Sequence, residues 1–206
     1  MIERLFVVLG AGASADAASP DLAKGIRPPL VTQLFDPHYD GVLDRYPIAQ
    51  MAAADIRPQT STSFSIERFI REQYHESSHW LDKRKYLALP PYFQDLLFQV
   101  SQSYARSPDN YDRLLSALLK LPDVVFITLN YDTLLDDRLD ALSPIRTLGD
   151  YLGGGERNWS LIKLHGSVNW GRRVREPDDL DLLCPQVAAV ALGDIELYPG
   201  DRLSVV

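Results

Sequence analysis

The sequence predicts an α/β fold, an open, twisted parallel sheet with a largely helical insertion after its first strand. Three observations carry that expectation. Three short apolar runs, Leu5-Phe6-Val7-Val8-Leu9, Val124-Val125-Phe126-Ile127-Thr128 and Trp159 to Leu164, are rich in strand-forming residues. Each run meets a loop of small or polar residues, and helical patterns alternate with them, as in parallel sheets. Between the first and second runs, over approximately 31–121, no comparably convincing strand occurs and the periodicity is helical instead. With 206 residues, 46% of them hydrophobic and 24% charged, the chain can bury one core without a disulfide or metal staple, so a single domain over 1–206 is expected.

The opening run, stopped by Gly10, reads as a strand buried on both faces. Gly10-Ala11-Gly12-Ala13-Ser14-Ala15 follows and fits the pattern G-x-G-x-x-G/A in its required place, after a strand and before a helix. Absent side chains at Gly10 and Gly12 permit a tight turn and close approach of a pyrophosphate, and Ser14 adds a hydroxyl donor. A glycine-rich turn without a ligand is the competing reading. A hydride-transferring dinucleotide fold would next place a strand ending in a ribose-gripping acid. The segment Leu30 to Asp36 instead follows Pro28-Pro29 and suits a helix start, which disfavours a dehydrogenase. No G-x-x-x-x-G-K-[ST] occurs.

The stretch from Arg57 to Ser63 lacks apolar anchors and reads as a mobile loop. Ile66, Phe69, Ile70 and Tyr74 share helical spacing, as do Tyr92, Phe93, Leu96, Leu97 and Val100, predicting two packed helices. Pro108-Asp109-Asn110 then caps a helix carrying Tyr111, Leu114, Leu115, Leu118 and Leu119, which Pro122 ends. After the second strand, Asn130-Tyr131-Asp132 leads into a helix with Leu134, Leu135 and Leu139. Gly153-Gly154-Gly155 joins this unit to the third apolar run. The last quarter of the chain gives no clear pattern, and Trp159, Trp170 and the tyrosines read as packing residues.

In open α/β sheets ligands bind beyond the carboxyl ends of the strands, and all three ends carry chemistry here. The second, Thr128-Leu129-Asn130-Tyr131-Asp132, sets a carboxamide and a carboxylate two residues apart. They form either a convergent pair or a local helix cap and Asx-turn. The third, Lys163-Leu164-His165-Gly166-Ser167-Val168-Asn169-Trp170, offers a histidine at a strand end, for packing or for function.

Twenty-one basic against 28 acidic residues give a net charge of −7, which disfavours nonspecific binding to nucleic acid or an anionic membrane. Arg172, Arg173 and Arg175 read as solvated surface, with a phosphate contact as the alternative. The single cysteine, Cys184, allows no internal disulfide and no Cys-x-x-Cys zinc pair, and the N-terminus lacks a secretory signal, so a reducing cytoplasmic setting is expected.

Together the three loops resemble the sirtuin family, specifically its bacterial sirtuin-like NAD hydrolase branch. Gly10-Ala11-Gly12-Ala13-Ser14 is similar to the family's GAG-x-S cofactor loop, Thr128-Leu129-Asn130-Tyr131-Asp132 to its T-x-N-x-D segment, and His165-Gly166 to its catalytic His-Gly. Arg27-Pro28-Pro29-Leu30 and the stretch from Lys163 to Trp170 look like the hydrolase branch. Three departures accompany them. The four-cysteine zinc module of the deacylases is missing, Gly25-Ile26-Arg27-Pro28-Pro29 replaces the usual G-I-P-D-F-R, and the later G-x-S strand end that holds adenosine does not occur.

The resemblance implies a Rossmann-like sheet, C-terminally incomplete against the family pattern, with NAD as substrate and no metal. It implies that Asn130 orients the ribose or the attacking water, that His165 acts as general base, and that Asp132 holds the loop or biases the ribose hydroxyls. Gly10, Ala11, Gly12, Ala13 and Ser14 would contact phosphate, with Arg27, Gly166 and Ser167 completing the binding set. Nicotinamide and ADP-ribose would be the products. The setting would be antiphage defence by NAD depletion, with a homo-oligomer or a regulatory partner or domain. A non-catalytic NAD or ADP-ribose sensor is the alternative, and an interaction scaffold built on the helical insertion a further one.

Overall fold

The computed structural model describes residues 3–17, 28–57, 65–104, 110–175 and 190–197. Strands β1 (Leu5–Leu9), β2 (Val124–Thr128) and β3 (Trp159–Lys163) form a parallel sheet in the order β1-β2-β3. The register sets Leu9 beside Thr128 and Thr128 beside Lys163, so all three strands end at one level. The fold is thus mixed α/β around a three-stranded parallel sheet.

Each strand matches its apolar run, but β1 departs from the expected burial. Leu5, Val7 and Leu9 turn inward, whereas Phe6 and Val8 are 59% and 67% exposed. Successive side chains of a strand point to opposite faces, so Phe6 and Val8 lie on the face of β1 that is left uncovered; β1 is also an edge strand, its outer side paired with no strand among the described residues. The central strand β2 has the two-faced burial instead, with Val124, Val125 and Phe126 all buried.

Between β1 and β2 the described residues contain no strand. A single helical turn, α1 (Ala11–Ala15), follows the glycine loop. Leu30 to Asp36 forms a 3-10 turn at Val31–Gln33, in accord with the proline-led helix start. Beyond it lie α2 (Asp40–Leu43), α3 (Pro47–Ile56), α4 (Ile66–Glu76), α5 (Trp80–Leu87), α6 (Leu89–Tyr104) and α7 (Asn110–Leu118). The expectation of two packed helices is too simple, because α5, absent from the sequence reading, packs against α3, α4 and α6. Ala49, Ala52, Ala53 and Ile56 make the buried stripe of α3, small enough for close helix approach. Leu89, Tyr92, Leu96 and Val100 make that of α6. Phe35, Phe93 and Tyr46 surround the Tyr92 ring at centroid distances of 5.4, 5.5 and 5.9 Å; Phe35 and Tyr92 are buried, and full burial of such a side chain contributes about 1.5–3 kcal/mol.

Helix α8 (Leu134–Leu142) follows β2 and packs against α7, burying Leu134, Leu135 and Leu139. The triple glycine does need its glycines: Gly153, Gly154 and Gly155 have φ of 77°, 110° and 64°. At Gly153 a Cβ would also stand 2.7 Å from the Trp159 carbonyl oxygen. The pattern-free last quarter contains an antiparallel pair, β4 (Trp170–Arg175) and β5 (Val190–Leu197), with a register shift between Gly171 and Arg173. The arginine cluster therefore lies on a strand, with its side chains outside the described residues. Also outside them are Arg27, Cys184 and most of the stretch expected as a mobile loop. Among the described residues no helix is long and apolar enough to cross a membrane.

Candidate functional site

Backbone hydrogen bonds carry the sheet one residue past its strands, from the Leu129 amide to the Leu9 carbonyl and from the Leu164 amide to the Thr128 carbonyl, both 3.0 Å. The three loops therefore start side by side. They border one cavity of about 870 Å³, within the range of small-molecule and cofactor sites. Gly10, Ala11 and Ser14 reach it from the first loop, Asn130 and Asp132 from the second, and His165, Gly166 and Ser167 from the third. Gly12 and Ala13 lie in α1 away from the cavity lining, and Arg27 is outside the described residues.

The first loop does turn tightly, the Ala13 amide donating to the Gly10 carbonyl at 2.9 Å, but it does so without the conformations that only glycine reaches. Gly10 is extended at φ −123° and ψ −176°, and neither Gly10 nor Gly12 has a positive φ. A Cβ at either position would meet nothing within 4 Å. The backbone conformation does not demand these glycines, and what they leave is open space beside the chain.

Asn130 is fixed by its own chemistry. Its Nδ2 donates to the Gly10 carbonyl at 3.0 Å and to Ser14 Oγ at 2.8 Å. A carbonyl accepts only from the amide nitrogen, so the orientation of the carboxamide is determined. Asn130 is 7% exposed, and its Oδ1 is buried with no hydrogen-bond partner. Ser14, 1% exposed, is also bound to the Tyr111 hydroxyl at 3.0 Å. The Ser14 hydroxyl expected to meet a phosphate is thus engaged inside the protein, where it helps hold Asn130. Tyr111, read in the sequence only as part of an apolar stripe, joins the site from α7.

Asp132 does what its residue type does locally: Oδ1 accepts the Leu134 amide at 3.1 Å, an Asx-turn that leads through the N-cap Thr133 into α8. Burial pushes its carboxyl pKa up, against the opposing charge of Lys163 and hydrogen bonds from Ser14 and Leu134. Beneath it, Lys163 Nζ donates to the Asp132 carbonyl at 2.6 Å and to both Asp136 oxygens at 3.0 and 2.9 Å, while the Tyr151 hydroxyl donates to Asp136 Oδ1 at 2.7 Å.

His165 is exposed at the end of β3, its ring 5.7 Å from that of Tyr131 and tilted by 42°. Gly166, at φ 84°, turns the chain immediately afterwards, a conformation glycine supplies without strain. The turn then returns to the second loop: the Val168 amide and Ser167 Oγ donate to the Tyr131 carbonyl at 2.9 and 3.3 Å. Gln94 of α6 donates to the Val168 carbonyl at 2.9 Å and ties the helical insertion to the same loop. Phe93 and Leu97 of α6, Ile66 and Ile70 of α4, and Trp170 of β4 add an apolar wall. Tyr131 and Trp170, read as packing residues, thus also face the cavity. Among the described residues no cluster of three or more His, Cys, Asp or Glu is placed to hold a metal ion.

One neighbouring carboxylate makes stability respond to pH. Burial first, and the charge of Asp136 second, push the Asp137 carboxyl up to about 6. Its folded pKa lies above the ordinary value near 3.9, so its contribution to stability is present below about pH 4 and lost as pH rises through about 6. Asp137→Asn keeps an acceptor for the Thr133 hydroxyl, now at 3.1 Å. It is expected to raise the melting temperature by about 2–4 °C at pH 7.5 and not at pH 4, read by thermal unfolding across that range. Equal effects at both values would exclude Asp137 as the source. The sequence matches no protein-family model and no curated protein.

Proposed function

We propose that the chain is a sirtuin-like NAD hydrolase on a Rossmann-like sheet, cleaving the bond between nicotinamide and ribose to give nicotinamide and ADP-ribose. The observation that carries this reading is Asn130: a carboxamide locked by two hydrogen bonds, with a buried, unpartnered oxygen, in the cavity that also takes His165. An unpaired buried acceptor costs about 1–3 kcal/mol, which a ribose hydroxyl or ordered water offsets by donating to it. The open space beside Gly10, next to the first amides of α1, suits close approach of a pyrophosphate.

In this mechanism the C–N glycosidic bond breaks with its electron pair going to the ring, and nicotinamide leaves neutral. The ribose carbon becomes oxocarbenium-like. Asn130 holds the ribose or the incoming water, His165 accepts the proton of that water as its oxygen bonds to the carbon, and Asp132 keeps the second loop in register. The apolar wall limits competing solvent. Antiphage NAD depletion in the cytoplasm, under control of a homo-oligomer or a regulatory partner, is the biological setting we attach to this activity.

The second reading, a non-catalytic NAD or ADP-ribose sensor, is favoured by one feature: His165 has a ring contact with Tyr131 but no side-chain hydrogen bond among the described contacts. Incubation of the full chain with NAD, followed by chromatography, separates the two. Nicotinamide and ADP-ribose in equal amounts are expected. Calorimetric binding without release would favour the sensor, and absence of binding would overturn both readings.

A further inference from the structure

The cavity is one-sided in charge. Its described lining residues include Glu67, Asp132 and His165 but no lysine or arginine. Glu67 stands in the first turn of α4, and Ile66 and Ile70 line the cavity with it, so one face of a helix from the insertion delivers a carboxylate within an apolar wall. The carboxylate is tethered there. Ser65 Oγ donates to Glu67 Oε2 at 3.1 Å while accepting the Arg68 amide at 3.2 Å, and the start of a helix favours negative charge.

The second loop brings Tyr131 to the same lining; its ring meets His165, and its chain neighbour Asn130 holds a buried oxygen without a partner. Burial pushes the Tyr131 phenol pKa up, and the charge of Glu67 adds to that shift, so the field of the carboxylate reaches this ring. Aromatic rings in an apolar recess with a carboxylate at its mouth suit a flat organic cation: the rings attract it and the carboxylate balances its charge. An uncharged ring of the same outline gains only the burial.

Resting on the NAD reading, we propose that Glu67 is a specificity-determining residue which, with Tyr131, makes the cavity prefer the cationic pyridinium ring of the oxidised dinucleotide to the uncharged ring of the reduced one. Glu67 is exposed at the cavity mouth, so the effect is that of a partly solvated charge pair, about fivefold in affinity.

The test is calorimetric titration of the full chain with an uncleavable carbocyclic NAD analogue in oxidised and reduced forms, and with ADP-ribose, for wild type and Glu67→Gln. The variant is expected to bind the oxidised form about fivefold more weakly, to bind the reduced form and ADP-ribose as wild type does, and to lose less at high salt. The melting temperature is expected to fall by no more than about 1–4 °C, because glutamine keeps an acceptor for Ser65 and gives up only the favourable charge at the start of α4. Equal losses for both redox forms, or no loss for the oxidised form, would overturn the role of Glu67 and leave the NAD reading standing. Failure of wild type to bind any of the three ligands would overturn that reading, and this inference with it.

Discussion

His165→Ala is expected to cut release of nicotinamide from NAD by about 10²–10⁴-fold, the usual contribution of a positioned general base, while leaving the melting temperature unchanged. Both halves follow from its surroundings: the imidazole is exposed, leans on Tyr131, and borders the cavity without supporting the core. Asn130→Ala is expected to lose comparable turnover by another route. It removes the two bonds that join the second loop to Gly10 and Ser14 together with the unpartnered oxygen, so substrate affinity falls with turnover, whereas His165→Ala lowers turnover at nearly constant affinity. Asn130→Asp sharpens the contrast, since a carboxylate oxygen would then face the Gly10 carbonyl, acceptor against acceptor. It is expected to melt below Asn130→Ala. Single-turnover chromatography gives the rates and calorimetry the affinities. Wild-type turnover in folded His165→Ala and Asn130→Ala would remove both residues from the chemistry.

The sequence made the three strands and their loops readable because each strand is a short apolar run ended by glycine or by polar residues. That pattern could not distinguish an edge from a centre: β1 and β2 look alike as runs, yet only β2 is buried on both faces. Helix α5 was hidden because Trp80-Leu81-Asp82-Lys83-Arg84-Lys85-Tyr86-Leu87 carries charge on most sides and no clear apolar stripe. The β4–β5 pair was hidden behind consecutive arginines and the interior Gly193. At the site, residue types gave Asn130, Asp132 and His165, but their partners are remote in sequence. Tyr111 lies 97 residues from the Ser14 it binds, and Gln94 lies 74 from Val168. Periodicity likewise identified the apolar faces of α4 and α6 without revealing that Ile70, Phe93 and Leu97 border a cavity.

Lys163→Met is expected to cost about 3–5 kcal/mol, the largest loss of stability from any single change at the site. The Lys163 side chain is wholly buried and that of Asp136 is 5% exposed. All three ammonium hydrogens have acceptors, in the Asp132 carbonyl and the two oxygens of Asp136. Methionine fills the same volume but strands the Asp136 carboxylate in the core, where among the described residues only the Tyr151 hydroxyl then meets it. The burden of Lys163→Met is therefore an unpaired charge, not a cavity, and a second change can remove it. Asp136→Asn on that background is neutral and keeps an acceptor for Tyr151, so the double variant is expected to recover most of the loss, as denaturant unfolding would measure. A double variant no more stable than Lys163→Met would mean that packing, not charge, sets the cost. Recovered stability should not bring full activity with it. The ammonium also binds the Asp132 carbonyl from a position two residues before His165, and methionine cannot restore that tie between the second and third loops. A stable double variant with wild-type NAD turnover would show that the two loops keep their register without Lys163.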